Sequence, residues 1–436
     1  MSHFGLLCPA ASGHLHPMTS LGRALLQRGH RVTLVGIADA GAAAAAAGIG
    51  FEAIGTATYP PGASRATLAA IGERNGLEAL RATLDALRRS TALLLQEAPQ
   101  ALRAAGVEML LIDQASFAGP TVAEQLALPF VSVSSALLLN REPGVPPFNS
   151  GWAYSRSPWA RLRNRCGYAL LDNLMAPIRR EVRSFRRQAG LPPLRAGAQP
   201  DSRLAQICQQ PAAFEFPRRR LPACLHFTGP LLQPGSRPEV PFPWERLDDR
   251  PLIYASLGTL QNRQLGLFAT IAAACHNLDA QLVIGLGGGC APEDLPPLAG
   301  SPLVVGYAPQ LALLQRAVLT ITHAGLNTVL ESLSEGVPLV AIPITNDQPG
   351  VAARIAWSGC GAVVPLRRLS VGRLRAAIEQ GLHDPGIHAN ARRLQRAIQR
   401  AGGVARAATI VEQVAATGRP VLAAEGDGGA EPGSAA

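Results

Sequence analysis

The decapeptide T-H-A-G-L-N-T-V-L-E at residues 322–331 brings together an imidazole, an amide, hydroxyls and a carboxylate, groups that can hold an anion and a polyol. It follows the apolar run Ala317–Ile321 and precedes G-V-P-L-V-A-I-P at 336–343. The pattern predicts a buried parallel strand, a helix over Leu326–Ser334 and a second strand over Val337–Ile342. In such a βαβ unit the ligand crevice lies at the carboxyl ends of the strands. The first helical turn there offers unpaired N–H groups and the positive end of a dipole. His323, Gly325, Asn327 and Thr328 fall at that turn, and Glu331 lies one turn beyond Asn327. Three further groups fall at predicted strand ends on the same rim. Ser256-Leu-Gly258-Thr259 supplies hydroxyls and a glycine that permits close backbone approach. Gly306–Gln310 supplies the Tyr307 ring and the Gln310 amide, and Asp347-Gln348 follows the next strand. In turn they suit a ring, a ribose, a diphosphate and a polyhydroxylated group, so the inventory fits a nucleotide-sugar.

These residues need a scaffold, and the chain reads as two αβ rhythms. In the first, Phe4–Cys8 is a strand and Pro9–His16 a small-residue loop. Pro17 opens a helix running to about Arg28; Gly29 stops it and Arg31–Gly36 is the next strand. Helical segments over 64–104 lead to strand Val107–Ile112, helix Pro120–Leu126 and strand Phe130–Ser134. A Pro/Gly/Trp-rich loop covers 140–163. An amphipathic helix over 165–189 carries Tyr168, Leu171, Leu174, Met175, Ile178, Val182 and Phe185 at spacings of three and four. Alternation of this kind predicts an α/β class with two Rossmann-like doubly wound domains facing a cleft. The expected boundaries are residues 1–230, a Pro-rich linker over 231–250, a second domain over 251–386, a helix over 387–416 and a disordered tail over 417–436.

Composition narrows the chemistry. The chain has 436 residues, 47% of them hydrophobic, and no apolar run long enough to span a bilayer. Its N-terminus lacks a basic, cleavable leader pattern. Seven scattered cysteines with no C-x-x-C pair predict reduced thiols and a cytoplasmic protein. All 40 basic residues are arginine, which excludes a Walker A lysine, a pyridoxal-phosphate Schiff base and any lysine nucleophile. The net charge of +10 is uneven: between Arg161 and Arg220 there are 13 arginines against four acidic residues. Such a segment can meet nucleic acid, an acidic substrate or an anionic membrane. No nucleic-acid module accompanies it, and a peripheral membrane contact through residues 161–220 is the partner it predicts. No D-x-D motif occurs, so neither a metal nor any other cofactor is indicated.

The combined motifs, S-L-G-T at 256–259, Y-A-P-Q at 307–310, the decapeptide, G-V-P at 336–338 and D-Q at 347–348, resemble the inverting nucleotide-sugar glycosyltransferases of GT-B fold. The resemblance covers most of residues 1–415. The run D-Q-P-G-V-A-A-R-I at 347–355 is most similar to bacterial carotenoid glycosyltransferases of the zeaxanthin type. It implies a UDP-sugar donor, with dTDP as the alternative, and a hydrophobic hydroxylated acceptor such as a carotenoid. It implies that Tyr307 stacks on the base and Gln310 meets base or ribose. His323, Asn327 and Thr328 would hold phosphate, Glu331 the ribose, and Asp347 and Gln348 the sugar. It also makes His14, in S-G-H after the first strand, the catalytic base, and Asp113 the carboxylate that orients it, the logic of a serine-protease triad's acid. Where the plant pattern has Trp, Cys and Trp, this chain has Tyr307, Ala324 and Leu326.

Blander roles stand beside these. His16 is a rival base, Asp113 could cap a helix, Tyr307 could be a packed edge aromatic, and Ser256 and Thr259 could merely satisfy a turn. Two other functions use similar parts: a sugar-nucleotide 2-epimerase that needs no acceptor, and a non-catalytic carotenoid- or lipid-binding protein.

Overall fold

The structure is a computed structural model that describes residues 1–72, 76–194, 200–259 and 264–424. The first of two sheets has seven strands: β1 (His3–Leu7), β2 (Arg31–Gly36), β3 (Gly50–Ala53), β4 (Met109–Asp113), β5 (Phe130–Ser134), β6 (Gln206–Cys208) and β7 (Leu225–Phe227). They lie in the order β3-β2-β1-β4-β5-β6-β7, and every pairing is parallel. The second sheet has six: β8 (Leu252–Ser256), β9 (Gln281–Gly285), β10 (Leu303–Val305), β11 (Ala317–Thr322), β12 (Leu339–Ala341) and β13 (Gly361–Val363). Their order is β10-β9-β8-β11-β12-β13, again all parallel. Every residue of β1, β4 and β8 is buried, as expected where helices cover both faces of a parallel sheet.

Strand order reverses between β1 and β4 in one sheet and between β8 and β11 in the other. Such switch points open a crevice at the carboxyl ends of the flanking strands. His14 and Asp113 follow β1 and end β4; Ser256 and His323 end β8 and follow β11.

The first helix begins at Ser12 and runs to Gln27, so His14 sits in its first turn rather than in a loop. Pro17 is therefore inside the helix. Proline has no N–H, which leaves the carbonyl four residues back without its helical donor. That carbonyl belongs to Gly13, and it accepts a 3.0 Å bond from Asn327 Nδ2 of the second domain. The interior proline is tolerated because its orphaned acceptor is satisfied from outside the helix.

The single helix expected over 165–189 is two, Pro158–Leu174 and Ala176–Gln188. Pro177 cannot donate to the preceding turn, and the chain breaks at Met175. The expected helix over 387–416 is likewise two, Pro385–Ala401 and Gly403–Thr417, divided where Gly402 and Gly403 adopt positive φ of 87° and 55°. The second of these crosses back to the first domain: Val404, Ala407, Val411 and Val414 join the core of Phe4, Leu21 and Leu34. The expected disordered tail is also corrected at its start. Val421 N–H donates to Leu204 O and Ala423 N–H to Ala223 O, each at 2.8 Å, fixing this segment against the first domain. Residues 425–436 lie outside the described residues. Among those described, no helix is long and apolar enough to cross a membrane.

Candidate active site

Asp113 is 1% exposed at the end of β4, and its Oδ2 lies 2.9 Å from His14 Nδ1. Its other oxygen accepts from Ala115 N–H at 2.7 Å. The carboxylate is thus held at both ends, and the imidazole's second nitrogen is left for another partner. Burial pulls the His14 pKa down, but the charge and hydrogen bond of Asp113, with the charge of Asp347, more than offset it and leave the pKa above the ordinary 6.5. Asp347 belongs to the other domain. Burial raises its carboxyl above the usual range, and the charge of His14 partly offsets that. The two groups therefore lie close enough to feel one another's charge.

His16, the rival base, lies toward Arg237 and Glu331 instead. Burial and the Arg237 charge lower its pKa to about 4, so it is neutral at physiological pH and has no carboxylate aligned to one ring nitrogen as His14 has.

On the facing rim, the helix Leu326–Ser334 starts after Gly325 without a side-chain cap, leaving first-turn N–H groups for an anion. His323 is held between two glycines. A Cβ placed on either Gly258 or Gly325 would lie 2.6 Å from its Cε1. Its ring is buried, Nδ1 has no hydrogen-bond partner among the described residues, and burial lowers the pKa to about 4. It is a neutral imidazole with one unsatisfied buried atom beside an uncapped helix start.

The Glu331 carboxylate is 2% exposed and engaged at both oxygens, by Arg237 Nη2 and by Gln310 Nε2, each at 2.5 Å. Gln310 in turn accepts from Tyr254 Oη at 3.2 Å and reaches the buried Thr328 hydroxyl at 3.4 Å. Tyr307 stands 44% exposed, in the electrostatic reach of Arg237 and Glu331. Ser256 is buried, and its Oγ accepts from Gly258 N–H at 3.2 Å; Thr259 is half-buried beside it. Gln348 spends its side-chain oxygen on Ile344 N–H and Thr345 N–H, both at 2.9 Å, which keeps only its amide nitrogen for a ligand. Asn327 is differently employed from the expectation. Its oxygen accepts from Gln209 Nε2 at 2.8 Å and its nitrogen donates to Gly13 O, so its side chain ties the two domains together.

Three participants escaped sequence reading. Arg237 lies in the Pro-rich linker and reaches Glu331, 94 residues away. A single arginine within P-G-S-R-P, followed by Glu239 two residues on, was its only signal. Tyr254 is a phenol inside the apolar strand β8, a polar group that needs a partner when buried. Gln209 follows β6, too short a strand to show a period.

A family model described as "UDP-glucoronosyl and UDP-glucosyl transferase" matches residues 201–401. A zeaxanthin glucosyltransferase of Pantoea ananas is 37% identical over 98% of this chain and 99% of its own length. A second, of Pseudescherichia vulneris, is 36% identical over 95% of this chain and 98% of its own. The chain belongs to the UDP-glycosyltransferase family. The GT-B fold follows as well: the glycotransferase of kitacinnamycin superposes with a TM-score of 0.72 at 23% identity, covering 94% of this chain and 98% of that one.

Gly258 is a sensitive position because it packs against the His323 ring. Its φ of +72° disfavours any side chain, and a methyl there would strike the imidazole. Gly258→Ala is expected to cost about 1–2 kcal/mol of stability. It should also raise KM for the sugar nucleotide about tenfold or more by displacing the ring. Denaturant melts alongside donor-saturation kinetics check this; an unchanged KM in a folded variant would speak against a donor role for His323.

Proposed function

We propose that this glycosyltransferase moves glucose from UDP-glucose to a hydroxyl of a carotenoid-type acceptor, with inversion at the anomeric carbon. The observation that carries the reading is the His14–Asp113 pair at 2.9 Å, set one residue from the Gly13–Asn327 contact at the start of the uncapped helix. In this reading His14 is the proton acceptor of one domain and the uncapped helix start the anion pocket of the other. The two zeaxanthin glucosyltransferases, similar along nearly the whole chain, support the choice of sugar and acceptor class.

In this reading the acceptor hydroxyl gives its proton to His14 as the new C–O bond forms. Asp113 fixes the ring tautomer and stabilises the imidazolium. The C–O bond to the diphosphate breaks in the same displacement, so one inversion results. First-turn N–H groups of Leu326–Ser334 and the neutral His323 take up the charge on the leaving diphosphate. Tyr307 offers its face to the base and Glu331 accepts from ribose hydroxyls. Thr328 and Ser256 line the phosphate side, with Thr259 and Gly258 beside them. Asp347 and the Gln348 amide hold the sugar hydroxyls.

The test is a screen of UDP- and dTDP-sugars against hydroxylated carotenoids in detergent, with products weighed by mass spectrometry. The expected product is a carotenoid carrying one hexose, formed from UDP-glucose. Consumption of UDP-glucose at the same rate with and without acceptor would sink the transfer reading.

A further inference from the structure

The apolar stripe expected to face a membrane, Tyr168 to Phe185, is turned inward. Ile178 and Val182 are buried, and Tyr168, Leu171, Leu174 and Phe185 are half-buried. A different stripe faces solvent. On the helix Pro158–Leu174, Trp159 is 79% exposed, Leu162 50% and Leu170 62%, with exposed Cys166 between them. Spacings of three, four and four put these on one face of the helix. Arg161 and Arg165 are exposed along one edge of that face, and neither has a carboxylate partner among the described residues. The one carboxylate on this helix, Asp172, is already paired with Arg141 and Arg179, each at 2.7 Å.

The opposite face of the helix anchors it beside the cleft. Asn164 Nδ2 donates to Pro143 O and Tyr168 Oη to Val145 O, both at 3.1 Å. Gly167 packs so closely that a Cβ there would lie 2.8 Å from the Trp152 ring. The same loop then touches the second domain. Cβ atoms built on Gly151 and Gly350 would lie 3.6 Å from Pro349 and 1.9 Å from Phe148 O. Pro349 and Gly350 directly follow Asp347 and Gln348. The exposed stripe is therefore one loop away from the sugar end of the site.

We propose that the outward face of the helix Pro158–Leu174 docks on an anionic phospholipid surface, with Trp159, Leu162 and Leu170 entering the headgroup region and Arg161 and Arg165 meeting lipid phosphates. An exposed tryptophan and leucines with unpaired arginines at the edge have the composition of an interfacial helix. A stripe of this kind facing water alone exposes apolar surface without return. The proposal rests on the reading of a lipophilic acceptor, which such docking would deliver to the cleft from the bilayer.

Binding to empty vesicles reads the surface without donor or acceptor, whereas transfer to a detergent-dispersed carotenoid reads the site without a bilayer; failure of either shows separately. The full chain should cosediment with vesicles of phosphatidylcholine and phosphatidylglycerol, less with phosphatidylcholine alone, and less at about 1 M salt. The triple variant Trp159→Ser, Leu162→Gln, Leu170→Gln should lose binding about tenfold or more while keeping detergent activity. Arg161→Gln with Arg165→Gln should abolish the preference for the anionic lipid. Alkylation of Cys166 by a water-soluble maleimide should slow when vesicles are added. Native protein that stays in the supernatant, a triple variant that binds like native, or unprotected Cys166 would each overturn the proposal. So would a dimer of the native chain that the triple variant abolishes without any vesicle binding, since the occupant would then be a second copy.

Discussion

Substituting alanine for His14 is expected to lower kcat by about 10²–10⁴-fold while leaving KM for UDP-glucose within about threefold. An alcohol is too weak an acid to lose its proton unaided at neutral pH, so in the proposed mechanism removing His14 raises the barrier of the chemical step alone. In the same proposal donor binding rests on the other domain and should be little changed. The acid side of the pH profile is a second readout. A base works unprotonated, so kcat/KM should rise with pH through the His14 pKa, and that limb should lie above 6.5 because Asp113 and Asp347 outweigh burial. Asp113→Asn removes the stronger of these two attractions. The limb should move to lower pH even as the maximum falls, since an amide no longer stabilises the imidazolium or selects its tautomer. Profiles from about pH 5 to about pH 9 on native and variant enzyme decide this. A limb that stays in place in Asp113→Asn would mean that another group titrates, and His16, held near 4, would not be that group.

The strand–turn–helix–strand unit around the decapeptide was legible because it is written in local sequence. The unit from Ala317 to Ala341 obeys a short-range rule: apolar strand, small-residue turn, polar first turn, amphipathic helix. Its helix occurs at Leu326–Ser334 as expected. What the sequence concealed is long-range. Asn327 has the right type and place for a phosphate ligand, yet its amide is drawn to Gln209 and Gly13, which lie 118 and 314 residues away. Pro17 was read as a helix start because proline favours that position. The acceptor it orphans is satisfied by a residue of another domain, which no local pattern reports. The three-residue strands β6 and β7 are too short for periodicity, and Gln206 and His226 in them break the apolar run. Arg237 was hidden by its surroundings, since a Pro-rich linker reads as a spacer and its partner Glu331 is fixed only when both domains are in place.

The same long-range character belongs to the ion cluster at the domain junction, where the largest stability effect is expected. Glu215, between β6 and β7, is 2% exposed and 2.6 Å from Arg354 of the helix Gln348–Ser358, which is 1% exposed. Arg218 Nε stands 3.6 Å from the same carboxylate oxygen. Burial alone would push the Glu215 carboxyl up, but the two guanidiniums hold it below the usual carboxylate value, so it is charged at neutral pH. Two buried cations thus share one buried anion. Glu215→Ala would leave both guanidiniums buried without a counter-charge, and the expected loss is about 3–5 kcal/mol. Arg354→Met should cost less, because the Arg218 charge and the Phe216 N–H, 2.8 Å from the carboxylate, still offset part of the Glu215 charge. The order of the two variants is therefore the test. Arg354 lies on the helix headed by Asp347, so, with Asp347 holding the sugar as proposed, loosening it should also raise KM for the donor. Denaturant unfolding of both variants, with donor kinetics on each, measures this. If Arg354→Met proves the worse of the two, or if Glu215→Ala costs under about 1 kcal/mol, the junction is held by its apolar contacts and not by this shared carboxylate.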